Sequence, residues 1–209
     1  MGNWPDGAYI YQRLLEEIGN VTGVCGLMGN LVAESNLVSY VVQGYGRDLE
    51  YCRQYTAQVD NGTISEYNFV YKGPNGGGYG LAQWTSHGRK QNLYDYAKKT
   101  HNYSIGDKEM QIQFLMIELE NSYPSTLAVL KSDATLKEKS DYVLVHFESP
   151  LDQSDAVKQQ RYEYSLDVYN TYSGLPPIPP GPEPSGKTKF KWWVYMKNPN
   201  RRRMEYFGY

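Results

Sequence analysis

The sequence predicts a mainly α-helical domain carrying small β or loop elements along one side, and three features lead to that expectation. Apolar residues recur at three- and four-residue spacing over most of the first 173 positions. The stretch 38–80 loses that period and fills with Gly, Asn and Tyr. A run of six prolines, GLPPIPPGPEPSG at 174–186, then ends the helical pattern, because it favours an extended spacer.

In chain order, Ile10, Leu14, Leu15 and Ile18 mark one side of a first helix over 8–18. Thr22 is positioned to cap a second, in which Val24, Leu27, Met28, Leu31 and Val32 share a stripe. Residues 38–80 read as loops with a short hairpin around Asp60-Asn61-Gly62, ending in the glycine-rich GPNGGGYG at 73–80. Helical spacing returns at 89–100, 108–121, 136–148 and 154–172, and Ser149-Pro150 closes the third of these, since a residue before proline avoids the helical region. The organisation expected is a catalytic-size domain over 1–173, a proline-rich linker over 174–186 and a basic, aromatic tail over 187–209 that reads as a strand or the start of a further module.

Composition narrows the function classes. Net charge is −2, but 187–209 hold seven Lys/Arg against one acid, leaving an acidic domain before them, so the two parts face different surroundings. The Arg201-Arg202-Arg203 run suits an anionic wall polymer as well as nucleic acid, and without a recognisable fold around it no nucleic-acid partner is expected. Twenty-one tyrosines and four tryptophans supply flat rings with a polar edge, which suit sugars. Cys25 and Cys52 have neither disulfide-framework nor metal-ligand spacing, and no metal or cofactor is expected. The opening MGNWPDGAYIYQ has no basic start and no apolar run, so neither a signal peptide nor a membrane partner is expected.

Glu34 is the candidate acid. It falls near the end of the second helix, beside Leu27 and Leu31, where half-desolvation and the negative helix C-terminus both favour the protonated form, with no cation close in sequence. A protonated carboxyl is what glycosidic cleavage needs, because the bridging oxygen leaves poorly until it receives a proton. By periodicity alone, a surface glutamate ending an amphipathic helix is the commoner meaning of such a position.

Two ordered segments add specificity: GLMGNLVAES at 26–35 and GYGLAQWT at 78–85. An apolar helix ending in Glu-Ser, followed by a Gly-Leu-x-Gln turn, resembles the goose-type lysozymes and lytic transglycosylases. GNLVAESNL together with GYGLAQWTSHGRKQNLYDYA is more closely similar to the phage tail lysozyme family, over about 9–172 and including FESP at 147–150 and Arg161. The resemblance implies a lysozyme-like helical fold and cleavage of bacterial peptidoglycan glycan strands. It implies Glu34 as general acid, Ser35 steadying the turn after the helix, and Gly80, Leu81 and Gln83 walling the cleft. Tyr79 and Trp84 are expected to flank a sugar. It implies residence in a phage tail or in host cytoplasm before release, beside other tail or lysis modules. A second carboxylate is not assigned: Asp48, Glu50, Asp60 and Glu66 lie between the motifs, and the working expectation is a water held by Gln83, Thr85 or one of these acids, Asp60 and Glu66 foremost among them. Glu148 is expected to form a structural salt bridge with Arg161.

Competing readings are a lytic transglycosylase, a non-catalytic wall-binding module and a thiol peptidase using Cys25 with His87, His101 or His146. Cys25 sits in the middle of a helix, away from the cationic N-terminal setting that a reactive thiolate needs, and so reads as a buried structural residue. His146 likewise reads as packed within its helix.

Overall fold

The computed structural model describes residues 4–46, 48–74 and 77–175. The proline-rich segment from 176 onward and the basic tail lie outside the described residues. The described chain is mainly helical, in the order α1 (Gly7–Ile18), α2 (Val21–Ser35), α3 (Leu49–Asp60), α4 (Glu66–Tyr71), α5 (His87–Tyr94), α6 (Lys108–Asn121), α7 (Pro124–Lys131), α8 (Leu136–Val143) and α9 (Asp155–Tyr172). Two of them run on into π-helical turns, α5 into Asp95–Thr100 and α8 into Leu144–Glu148. No described helix is long and apolar enough to cross a membrane.

The organising element is α2. Its predicted stripe is buried, but so is the rest of the helix from Gly23 to Val32, so it runs through the centre of the domain rather than along a surface. It packs most extensively on α9 and α8, with α1 and α7 completing its cover. Small residues permit this. A Cβ at Gly29 would stand 2.6 Å from Ser165 N of α9, and one at Gly26 would stand 3.1 Å from Ser140 N of α8. Each Val, Leu or Met so enclosed contributes about 1.5–3 kcal/mol relative to exposure. The N-cap is Asn20 rather than the expected Thr22: the Asn20 side chain accepts from Gly23 N, and Thr22 donates to it. Thr22 instead joins Asn20 in binding the buried Lys139 Nζ, at 2.8 Å each.

The expected loops of 38–80 contain two helices. In α3 the buried positions Cys52, Tyr55, Thr56 and Val59 follow the 3,4 spacing of an amphipathic helix, but the pattern is written in Cys, Tyr and Thr and so escapes an aliphatic count. The expected hairpin at Asp60-Asn61-Gly62 is the C-terminal turn of α3, in which Gly62 adopts φ +82° and donates to Val59 O. Among the described residues there are no strands. The expected small β elements reduce to two isolated antiparallel bridges, Val42 with Tyr79 and Tyr79 with Trp84. A further helix, α7, opens with Pro124 in its first turn, where the missing N–H has no helical partner to lose.

Candidate active site

Glu34 closes α2 beside an abrupt reversal. Asn36 and Leu37 both adopt left-handed backbone, φ 54° and 60°, and Asn36 is pinned by Trp4, whose Nε1 donates to Asn36 Oδ1 at 2.9 Å. Ser35, expected to steady that turn, is buried and donates its hydroxyl back to Leu31 O at 3.0 Å. Glu34 therefore stands on a rigid helix end. It lines a cavity of about 250 Å³ with Val41, Val42, Gln43, Gly44, Gly46, Gln83 and Thr85. The segment facing Glu34 is held by the bridges just described: Gln43 N donates to Gly78 O, Gly80 N to Val41 O, and Gln43 Oε1 accepts from Gly78 N.

The residues expected from the 78–85 motif divide between cavity and core. Gln83 and Thr85 line the cavity. Gln83, at φ 40°, donates its Nε2 to Val41 O and Gly80 O, and Thr85 Oγ1 donates to Gln83 O, so both side chains brace the turn. Gly80 and Leu81 are buried against α6. Gly80 adopts φ +76°, and a Cβ there would run into the side chain of Gln111. Gln111 accepts from Leu81 N and donates to Ser39 O and Ile105 O, stapling three segments from a fully buried position that no sequence period distinguishes.

Tyr79 and Trp84 do not flank the cavity. Tyr79 is 1% exposed, its hydroxyl 2.6 Å from Thr56 Oγ1 and its ring edge-on to Phe69. Trp84 is wholly buried against Phe114 and donates its Nε1 to Glu118 Oε2 at 2.6 Å. Their polar edges are satisfied by protein, which is how a buried aromatic is stabilised. Sequence spacing placed them beside the cleft but could not say which way the rings turn.

Asp60 and Glu66 are also engaged elsewhere. Asp60 accepts from Ile105 N and Lys98 Nζ and borders a separate cavity. Glu66 accepts from Lys99 Nζ at 2.7 Å and Gln91 Nε2 at 2.6 Å; against the upward push of burial, these partners hold its carboxyl below the ordinary range. Among the described residues lining the Glu34 cavity, Glu34 is the one acid.

The surroundings of Glu34 differ most from expectation. A cation is absent nearby in sequence, but α9 delivers one: Arg161 Nη2 donates to Glu34 Oε1 at 2.9 Å. Arg161 therefore pairs with Glu34, not with Glu148 as expected. Burial pushes the Glu34 carboxyl up, Arg161 pulls it down through charge and hydrogen bond, Arg89 pulls weakly the same way, and the balance leaves it above its ordinary value. Glu148, at the end of the π-helical turn after α8, has its Oε1 shut from solvent without a hydrogen-bond partner. Burial, and next the negative charge of Glu34, push its carboxyl up to about 8 against the pull of Arg89 and Arg161. Arg89 is occupied in a two-pronged pair with Glu118, Nε to Oε1 and Nη2 to Oε2 both at 2.9 Å.

Cys25 is completely buried, and desolvation pushes its thiol up to about 12, so it holds no thiolate at neutral pH. His146 is exposed, its ring 4.1 Å from that of Tyr142 on the outside of the helix rather than packed within it.

Comparison with known proteins matches residues 7–172 to the family described as phage tail lysozyme. No curated protein matches the chain.

Proposed function

The chain belongs to the phage tail lysozyme family, and from that premise we propose that its helical domain cuts the glycan strands of bacterial peptidoglycan with Glu34 as proton donor. The observation that carries this reading is the Glu34 carboxyl itself: 23% exposed, opening on a cavity and raised above its ordinary value although an arginine touches it. Burial makes this carboxyl more readily protonated than an exposed one despite the arginine, which suits it to give a proton to a bridging oxygen docked in the cavity. As that bond breaks, charge builds on the sugar ring and water completes the cut; attack from the face opposite the leaving group would invert the anomeric carbon. Thr85 retains acceptor capacity at the cavity wall and is the candidate to orient that water, with Gln83 fixing the turn beneath it.

A second reading draws on the same cavity. A single lining acid also suits a lytic transglycosylase, in which the muramic acid closes on itself and no base for water is needed. Products separate the two. Digestion of purified peptidoglycan followed by mass spectrometry gives reducing muramic ends for the hydrolase and anhydro-muramic ends for the transglycosylase. Glu34→Gln keeps an acceptor for Arg161 and should fold and bind normally while losing about 10²- to 10⁴-fold in turnover. Retention of more than about a hundredth of the activity would overturn the general-acid role. The family match supports, as part of the same proposal, action with a phage tail or lysis assembly, from the virion or from host cytoplasm after release, with peptidoglycan as the macromolecular partner.

A further inference from the structure

Setting aside the closed Arg89–Glu118 pair, the cluster behind Glu34 contains one guanidinium and two carboxyls: Arg161 from α9, Glu34 from α2 and Glu148 after α8. These charged groups, with Arg89 from α5 and Glu118 from α6, are the ones that act on Glu148. One cation cannot neutralise two carboxylates that are largely withdrawn from water, so such a pair favours keeping one proton between its members. The hydrogen bonding shows where slack remains. Arg161 Nε is a buried donor without an acceptor, and Glu148 Oε1 a buried acceptor without a donor. A buried polar group without a partner is costly and calls for an explanation, and a second state of the site in which the two groups are bonded supplies one.

We propose that Glu148 is a positioning residue for Glu34: the two carboxyls share one proton, and Arg161 pairs with whichever of them is ionised. The inference rests on Glu34 being the proton donor. In the arrangement seen, Arg161 holds Glu34 and the proton resides on Glu148. When a bridging oxygen enters the cavity, Arg161 turns to Glu148 and the proton stands on Glu34. It then passes to the oxygen as the C–O bond breaks, the electron pair of that bond remaining with the leaving sugar. Water adds to the anomeric carbon and releases one proton, which restores the shared one.

The test is the pH profile of kcat/KM for the full chain and for Glu148→Gln on purified peptidoglycan. Without the second carboxyl, Arg161 keeps Glu34 ionised, so the high-pH loss of activity should move at least one unit toward acid, a tenfold or greater loss at fixed neutral pH, with activity recovered at lower pH. A purely structural role would reduce activity at every pH and leave that limb in place, and this result would overturn the proposal. A second measurement needs neither turnover nor the Glu148 variant. Infrared difference spectroscopy of the wild type should show a protonated carboxyl band persisting to neutral pH, and its midpoint should fall by at least one unit in Glu34→Gln. An unchanged midpoint means that burial alone holds the proton and overturns the sharing. Full activity of Glu34→Gln would defeat the general-acid reading while leaving the spectroscopic result intact, so the two failures are distinguishable.

Discussion

Replacing Glu118 by alanine removes a carboxylate that serves three donors at once: Arg89 Nε and Nη2, each at 2.9 Å, and Trp84 Nε1 at 2.6 Å. The side chains of Glu118 and Arg89 are 4% and 19% exposed, so little water is at hand to replace the lost partner. Breaking a buried pair from one side costs about 3–5 kcal/mol, because it strands the other charge. The orphaned indole N–H pushes the loss toward the upper end, while the faces of Phe147 and Tyr123, 4.8 and 5.7 Å from the Arg89 guanidinium carbon, recover only a small part. For a domain of this size each kcal/mol moves Tm by about 2–4 °C, so a drop of roughly 10 °C or more is expected. Calorimetry and urea titration measure it. Glu118→Gln, which keeps an acceptor, should lose less. The double variant Arg89→Met with Glu118→Leu should lose far less than the sum of its single changes, since it leaves no charge behind. A cost below about 1 kcal/mol for Glu118→Ala would mean that the pair behaves as an exposed one and would refute the reasoning.

Four further outcomes follow from the same structure. Glu148 has a folded carboxyl raised to about 8, so the native state binds its proton more tightly than the unfolded chain. Its contribution to stability should therefore be greatest below about pH 4.3 and fall as pH rises from there to about 8, a slope that urea titrations should find flattened in Glu148→Gln. Glu66 and Glu109, whose carboxyls are held low, act in the opposite sense and lose stability as acid protonates them through their folded pKa values, so the two effects separate along the pH axis. Cys25→Ser should keep lytic activity while costing about 1–3 kcal/mol for the buried hydroxyl; a folded but inactive variant would revive the peptidase reading. Gly29→Ala should destabilise the domain by at least about 1–3 kcal/mol, because its Cβ would meet Ser165 backbone that cannot swing aside, and an unchanged Tm would contradict the close α2–α9 packing.

What the sequence disclosed follows the range of the interactions involved. The helices whose faces are written in Leu, Ile, Val and Met were visible because their period is local, as were the ending of α2 at Glu34 and Ser35 and the turn through Gln83. Helix α3 was hidden because Tyr, Cys and Thr form its inner face, and α7 because eight residues give too little period. The directions of Tyr79 and Trp84 were hidden for a different reason: their partners Thr56 and Glu118 lie 23 and 34 residues away. Gln111 leaves no local trace at all, since each of its three bonds is to backbone brought in by folding.

The charge state of Glu34 was the least accessible from sequence, and the reason is physical. Burial at a helix end is a local property and raises the carboxyl, but the pull opposing it comes from Arg161, 127 residues further along the chain. That arginine reaches Glu34 because Gly29 lets α9 approach α2 closely, and Ser165, one helical turn beyond Arg161, is the residue lying against Gly29. The same small-residue seam that packs the core therefore sets the electrostatics of the cavity. A lone carboxyl bonded to a guanidinium would remain ionised and make a poor acid. Desolvation is the largest push on the Glu34 carboxyl; in the proposed sharing, Glu148 adds a second carboxyl around the same cation, and the two together keep a proton available beside an arginine.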